Sequence, residues 1–191
     1  MAITGGSPII SVNVKGDREL QSAITKVREI GKKLETIHRL MALEAEAWIK
    51  QNFQQEGKLA KPGGWAKLSP NTIVQRRKKG GGAKILQDKG LLRGSVNSTS
   101  SSRDARAGFG DKKAVWHQAG TPPYKIRPKR KRLLRFLTAS GWVSKKEVSH
   151  PGLISRPLIP SKAQILPLVI KRLDLYVAAE LRKAGLKVRT T

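Results

Sequence analysis

The side chains that could carry out acid–base or metal chemistry are few and scattered. The chain of 191 residues contains three histidines, 13 acidic residues and no cysteine. His38, His117 and His150 lack the short spacings at which neighbouring histidines bind one metal ion. No cysteine is available for a thiolate site or a disulfide bond, and the glycine-rich segment at residues 80–82 lacks the context of a phosphate-binding loop. The sequence therefore predicts no catalytic residue, no cofactor and no metal site, and we expect a protein that is not an enzyme.

His117 is the histidine in the most suggestive context, since it lies in the sequence Trp116-His117-Gln118-Ala119-Gly120. A histidine can act as a general base near neutral pH. The alternative is a structural role, in which a half-buried ring forms a hydrogen bond with the turn at Gly120. We favour the structural interpretation, because no second catalytic group accompanies His117.

The positive charge is a second candidate for function. The formal net charge is +26, and residues 1–57 contain 8 basic and 7 acidic side chains, whereas residues 58–191 contain 31 and 6. A fold does not need this excess, so it points to nucleic acid, an anionic surface or acidic proteins as partners. The candidate partner or DNA contacts are Arg76, Arg77, Lys78, Lys79, Lys125, Arg127, Lys129, Arg130, Lys131 and Arg132.

Aromatic residues offer limited support for nucleic-acid binding. Tyr124 or Phe136 could stack on a base beside these basic loops. By contrast, Trp65, Trp116 and Trp142 lie in apolar contexts that predict core positions. No helix-turn-helix, zinc-finger or RNA-recognition pattern is visible. The sequence therefore argues against sequence-specific recognition and leaves sequence-independent DNA contact open.

Apolar periodicity predicts the helices that position these side chains. One amphipathic helix is expected over about residues 17–54, with a length on the order of 55 Å. Ser69 followed by Pro70 predicts a short helix that runs to about residue 79. A further short helix is expected at residues 112–119. The last helix begins after Ser161, and Pro167 either kinks it or delays its start.

Short apolar runs predict the strands. A first run covers residues 9–14, and two hairpins are expected, from residues 93–100 with 105–109 and from residues 133–138 with 142–148. We predict an α+β fold in one domain over residues 1–191. Its antiparallel sheet of four to five strands packs against a long N-terminal helix and a C-terminal helix, with basic loops at about residues 57–64, 76–84 and 121–132. No membrane span of about 20 apolar residues is present, and we expect a soluble protein.

Several short motifs follow one another in a characteristic order. They are Trp65-x-x-Leu68-x-x-x-Thr72, Ile85-Leu86-x-x-x-Gly90-x-Leu92-x-x-Ser95, Gly108, Trp116-His117-Gln118-x-Gly120, His150-Pro151-Gly152 and Arg156-Pro157-Leu158-Ile159. From about residue 20 to residue 181, the chain resembles the virion-morphogenesis or tail-completion family of tailed bacteriophages, which includes the Mu G-like and lambda Z-like minor tail proteins. The family usually has Thr-Gly near Asp88 and Phe in place of Leu158, and both departures preserve the physical role. The residues expected to define the fold are Trp65, Trp116, His117, Gln118, Gly120, Pro151, Gly152, Arg156 and Pro157.

The resemblance implies a structural protein of the virion, made in the host cytoplasm. Such proteins form a ring, described as six-fold, at the neck or the head-proximal end of the tail, where they complete the tail and mediate head–tail joining. The implied partners are other copies of the chain, the neighbouring neck or connector proteins, and the tail terminator or tail tube proteins, with genomic DNA as a further contact and no membrane. The alternative is a sequence-independent DNA-binding protein that uses its basic loops.

Overall fold

The computed structural model describes residues 18–138, 140–183 and 185. The chain divides into two compact units, one formed by Met1–Lys33 with Leu175–Thr191 and the other by Leu34–Asp174. The strand predicted at residues 9–14 lies outside the described residues. Among the helices that are described, none is long and apolar enough to cross a membrane.

Two helices replace the single long helix predicted over residues 17–54. Helix α1 covers Arg18–Lys32 and helix α2 covers Leu34–Gln54, so the prediction of one continuous helix is wrong at Lys33. Gly31 weakens the preceding turn by about 1 kcal/mol relative to alanine. Glu35 lies in the first turn of α2, where the helix dipole favours an anion and a new helix start.

The remaining elements confirm the predicted α+β class. They are α3 (Pro70–Lys78), α4 (Leu91–Gly94), β1 (Val96–Ser100), β2 (Ala105–Phe109), α5 (Lys113–Ala119), β3 (Tyr124–Ile126), β4 (Leu134–Thr138), β5 (Gly141–Lys145), β6 (Val148–His150) and α6 (Lys162–Lys183). The predicted N-cap of α3 is confirmed, because Oγ of Ser69 accepts a hydrogen bond from the amide of Thr72 at 3.3 Å. Helix α6 begins directly after Ser161 and contains Pro167.

The six described strands pair as three two-stranded antiparallel sheets rather than as one sheet. Both predicted hairpins form, as β1–β2 and β4–β5, and β3 pairs with β6 across an intervening hairpin. The first strand begins at Val96 instead of residue 93, because the preceding residues form the short helix α4. Helix α2 packs against both strands of the first hairpin, so this sheet obtains its apolar cover from a helix and not from a second pair of strands.

The core lies in the Leu34–Asp174 unit and is centred on α2. Its buried members are Trp48, Ile49, Phe53, Trp65, Ile85, Leu92, Val96, Ala114 and Leu158. The rings of Phe53 and Trp65 meet edge to face, with centroids 5.2 Å apart, a favoured aromatic geometry. Of the three tryptophans predicted to be core, only Trp65 is buried, at 4% exposure, while Trp116 and Trp142 are 48% and 66% exposed. The apolar residues next to Trp116 and Trp142 in sequence therefore led to a wrong prediction that these two side chains are buried.

Candidate functional site

A junction between α5 and the segment at residues 151–159 brings together most of the residues expected to define the fold. Oε1 of Gln118 accepts hydrogen bonds from the amides of Leu158 and Ile159, at 2.7 and 3.1 Å. The hydroxyl of Ser155 donates to the backbone oxygen of Gln118 at 2.7 Å. The amide of Arg156 donates to the backbone oxygen of His117 at 2.7 Å. One turn of α5 therefore holds a segment that belongs to no helix or strand.

Gly120 and Gly152 allow the chain to pass close to itself beside this junction. Gly120 ends α5 with a φ of 78°, and a Cβ there would lie 2.6 Å from the backbone oxygen of Leu153. Gly152 has a φ of 85° and follows Pro151. Between them, Thr121 and Leu153 exchange two backbone hydrogen bonds of 3.0 and 3.1 Å. The positive φ values and the close approach explain why glycine occupies both positions.

Trp65 and Pro157 connect this junction to the core. Nε1 of Trp65 donates a hydrogen bond to the backbone oxygen of Pro157 at 2.9 Å, and Nδ2 of Asn52 donates to the same oxygen at 3.2 Å. Both donors are buried, and Leu158, the next residue, is fully buried. The Pro157 carbonyl thus satisfies two side chains that would otherwise be buried without partners.

His117 and Arg156 form no ion pair with an acidic residue that the structure describes, although the charge of Asp111 acts on the pKa of His117 in the opposite direction to that of Arg156. Nδ1 of His117 and Nε of Arg156 are buried and have no hydrogen-bond partner among the described residues. The predicted hydrogen bond between the His117 ring and the turn at Gly120 does not involve Nδ1, since the Gly120 amide instead donates to the backbone oxygen of Trp116. Burial, followed by the nearby Arg156, lowers the pKa of His117, which favours a neutral ring at pH 7.

Metal chemistry finds no support at this junction. Within residues 18–138, 140–183 and 185, His, Asp and Glu side chains do not form a group of three that could hold a metal ion. Burial, followed by the charge of Arg76, lowers the pKa of Arg156. Nη2 of Arg156 donates to the backbone oxygen of Ala66 at 3.1 Å, which is a structural contact.

The first group of predicted contact cations, residues 76–79, lies at the end of α3 and not wholly in a loop. Nη1 of Arg76 donates to the backbone oxygens of Gly82 and Lys84, at 3.2 and 2.9 Å. This side chain therefore organises the glycine-rich segment that follows the helix. The other three members of the group, Arg77, Lys78 and Lys79, are exposed, and the negative end of the helix dipole stabilises cations at this position.

The second group of predicted contact cations contains both neutralised and unpaired members. Glu147 accepts from Lys125 at 2.9 Å and from Arg127 at 2.6 Å, and these two bonds lower the pKa of Glu147. Residues 129–132, two lysines and two arginines, are exposed. They form no ion pair with any residue that the structure describes. The unpaired positive charge of this region therefore lies on residues 129–132.

An exposed groove beside α3 escaped the sequence prediction. Its volume is about 390 Å³, and its lining residues are Gln75, Lys78, Lys79, Arg135, Phe136, Leu137 and Trp142. The guanidinium carbon of Arg135 lies 5.2 Å from the centroid of the Trp142 ring. The predicted hairpin already implies that Trp142 and Val143 lie on opposite faces, because side chains alternate along β5. The sequence does not show which of these two faces is exposed to solvent, and the structure does.

Tyr124, proposed as a base-stacking residue, already has an aromatic neighbour. Its ring stacks on His150 with centroids 4.8 Å apart, in the short β3–β6 pair. Phe136 does line the groove beside α3, but it is only partly exposed. Trp142 is therefore the large aromatic side chain that this groove presents most openly.

Comparison with known families gives one match. The model of the phage virion morphogenesis family matches residues 16–159. No curated protein sequence and no solved structure matches the chain. The matched range contains α1 to α5 and β1 to β6 and ends after the Arg156-Pro157-Leu158-Ile159 motif, before α6 begins.

Proposed function

Because the chain belongs to the phage virion morphogenesis family, we propose that it is a structural protein of a tailed-phage virion and forms a ring at the neck or head-proximal end of the tail. The ring, six-fold as the family resemblance implies, completes the tail and mediates its joining to the head. Its neighbours are neck or connector proteins on one side and tail terminator or tail tube proteins on the other. The observation that supports self-association most directly is the exposure of large apolar side chains on two elements of one compact unit.

The first apolar surface surrounds α5. Val115 and Trp116 are 66% and 48% exposed, and Ile154 and Ile159 from the following segment are 66% and 46% exposed. A groove of about 310 Å³ between these elements is lined mainly by apolar side chains, with Leu158 among them. Val115 and Ile159 line this groove, and exposed apolar side chains around a groove are typical of a protein interface. We name the four exposed residues the α5 surface.

The second apolar surface lies on the N-terminal half of α6. Leu166 and Ile170, four residues apart on one face of the helix, are 45% and 49% exposed, although Val169 in the same helix is buried. A closed ring is built from heterologous contacts, in which one surface of each subunit meets a different surface of the next. The α5 surface and these two residues, the α6 surface, supply two such surfaces from different elements.

Electrostatics opposes this assembly in dilute buffer. Each copy carries a formal charge of +26, and the Debye length rises from about 10 Å at 0.1 M salt to about 30 Å at 0.01 M. Subunits therefore repel one another most strongly at low salt. Acidic partner proteins, or DNA in the channel, would template the ring by neutralising this charge, and residues 129–132 supply unpaired cations for that contact.

Interface variants test the proposed ring. Val115→Asp disrupts the α5 surface, Leu166→Asp disrupts the α6 surface, and Leu133→Asp changes an equally exposed leucine outside both surfaces. In native mass spectrometry, the wild type and Leu133→Asp should form rings at high salt, whereas each interface variant alone should remain monomeric. Mixing the two interface variants should give dimers and no ring, because one intact heterologous contact remains. Rings formed by both single variants would overturn the proposal.

The location in the particle is tested separately. Cryo-electron microscopy of intact virions should show this protein between the head and the tail. Particles made with either interface variant should accumulate as separate heads and tails. Density for the protein at the distal end of the tail would refute the joining role, even if the ring itself formed.

A further inference from the structure

The groove beside α3 is built from the end of that helix and from the β4–β5 hairpin. Nε2 of Gln75 donates a hydrogen bond to the backbone oxygen of Leu137 at 3.0 Å, which fixes α3 against β4. Lys78 and Lys79 follow Gln75 at the end of the helix and line the groove. The two lysines and the hairpin are thereby held in one arrangement.

Register places Arg135, Leu137 and Trp142 on one face of the hairpin, whereas Phe136 pairs with Val143 on the other. Leu137 pairs with Trp142, and Arg135 pairs with Ser144. Directly paired residues share a face, and diagonal neighbours on that face are within reach of long side chains. Arg135 therefore reaches Trp142 diagonally, and its guanidinium carbon lies 5.2 Å from the ring centroid. This geometry holds the indole ring in place while leaving 66% of the residue exposed.

The chemistry of the lining is aromatic and cationic. Three of its seven residues are basic, and none is acidic among the described residues that line it. Exposed indole area is costly in water and is the surface on which an unpaired base stacks. Lysines beside such an aromatic side chain neutralise the phosphates of a nucleic-acid backbone. The same residues do not read base edges, so the site is sequence-tolerant.

We propose that this groove binds single-stranded nucleic acid, with one base stacked on Trp142 next to Arg135 and the adjoining phosphates on Lys78 and Lys79. A duplex does not offer an unpaired base to the indole face. An acidic peptide would pair with the lysines but leave the indole face uncovered. The site is complete within one chain, so it does not require the proposed ring.

The hairpin extends the positive path beyond the groove. Leu134 pairs with Lys145 at the other end of the two strands, and only Leu133 separates residues 129–132 from the start of β4. Leu134 lies three residues from Leu137, or about 10 Å at roughly 3.4 Å per residue. A single strand of nucleic acid that runs from Trp142 along β4 therefore reaches residues 129–132. These cations have no ion-pair partner in the described part of the chain.

Fluorescence anisotropy with a labelled 12-residue oligothymidylate tests the site. The wild type should bind it more tightly than a 12-base-pair duplex or a polyglutamate peptide at the same salt concentration. Trp142→Ala should weaken binding by about 5- to 150-fold, the range for loss of one stacked base, and Trp142→Phe should retain most of the affinity. Trp116→Ala removes another exposed tryptophan outside the groove and should leave the affinity unchanged.

The lysines are tested through salt dependence. Lys78→Gln with Lys79→Gln should reduce the slope of log affinity against log salt by about 1.4, since each single-strand phosphate contact contributes about 0.7. The matched control, Lys112→Gln with Lys113→Gln, removes the same charge outside the groove and should leave the slope unchanged.

Three outcomes would overturn the site. They are the absence of oligothymidylate binding, equal losses for Trp142→Ala and Trp116→Ala, and duplex or polyglutamate binding at least as tight as that of the single strand. Circular dichroism spectra and thermal melts matching the wild type establish that each variant is folded. The monomeric Val115→Asp variant should still bind oligothymidylate, which separates failure of this site from failure of the ring.

Discussion

Gln118 joins α5 to the segment that follows β6, and its replacement by methionine isolates the energetic contribution of one side-chain oxygen. Methionine is similar in size but offers no strong acceptor. Two amide donors lose their partner, those of Leu158 and Ile159. Leu158 is fully buried, so water cannot replace the lost acceptor there, whereas Ile159 is 46% exposed and its amide can turn to solvent. The variant therefore leaves one buried amide unsatisfied.

An unsatisfied buried donor costs about 1–3 kcal/mol. Native domains have a free energy of unfolding of only about 5–15 kcal/mol, so the loss is readily measured. With a urea dependence of about 2 kcal/mol per molar, a loss of 2 kcal/mol lowers the unfolding midpoint by about 1 M. Urea unfolding followed by circular dichroism at pH 7 measures this shift.

Glutamate at the same position provides the matched control. Gln118→Glu keeps an oxygen acceptor for the Leu158 amide. We expect this variant to retain most of the wild-type stability at pH 7. If glutamate destabilises the protein as much as methionine does, loss of the acceptor is not the cause and the reasoning from the Gln118 hydrogen bonds is refuted.

Two further predictions concern exposed charges. Replacing residues 129–132 with serine should leave the thermal midpoint within a few degrees of the wild type but abolish infectious particles in a complementation assay. Replacing the exposed residues Lys58, Lys61, Lys67 and Lys162 with serine is the matched control. Normal titres from the first variant would show that residues 129–132 are dispensable. Hydrogen bonds from Lys33 and Lys183 lower the pKa of Glu180 to about 2, so its contribution to stability is fully present above about pH 4.5 and is lost as the pH falls towards 2. The difference in thermal midpoint between the wild type and Glu180→Gln should therefore shrink over that range, and a constant difference would contradict the assignment.

Local signals in the sequence were sufficient for much of the secondary structure. Ser69 before Pro70 marks the start of α3, since the capping hydrogen bond and the proline both act within one turn. The two hairpins were found because alternation and a short turn are also local. Gly31 lies close to the break between α1 and α2, but the cost of one glycine does not show whether a helix tolerates it or breaks, and the chain leaves the helix at Lys33.

Long-range arrangement was harder to predict. The pairing of β3 with β6 joins residues 124–126 to residues 148–150 across a complete hairpin, and neither strand is distinguished by alternation. Trp116 and Trp142 have apolar neighbours in sequence, yet they face outwards, because burial depends on which face of the element meets the core. The groove beside α3 depends on the Gln75–Leu137 contact, which no pattern along the chain reveals.

The carbonyl of Pro157 has a consequence for the order of events during protein synthesis. Its two side-chain donors, Asn52 and Trp65, lie 105 and 92 residues earlier in the chain, and the adjoining Leu158 is part of the core. Contacts between such distant residues form slowly, because a long loop must close before they are made. More than three quarters of the 191 residues must therefore leave the ribosome before the core can form. Until then the apolar face of α2 is exposed to solvent and prone to aggregation.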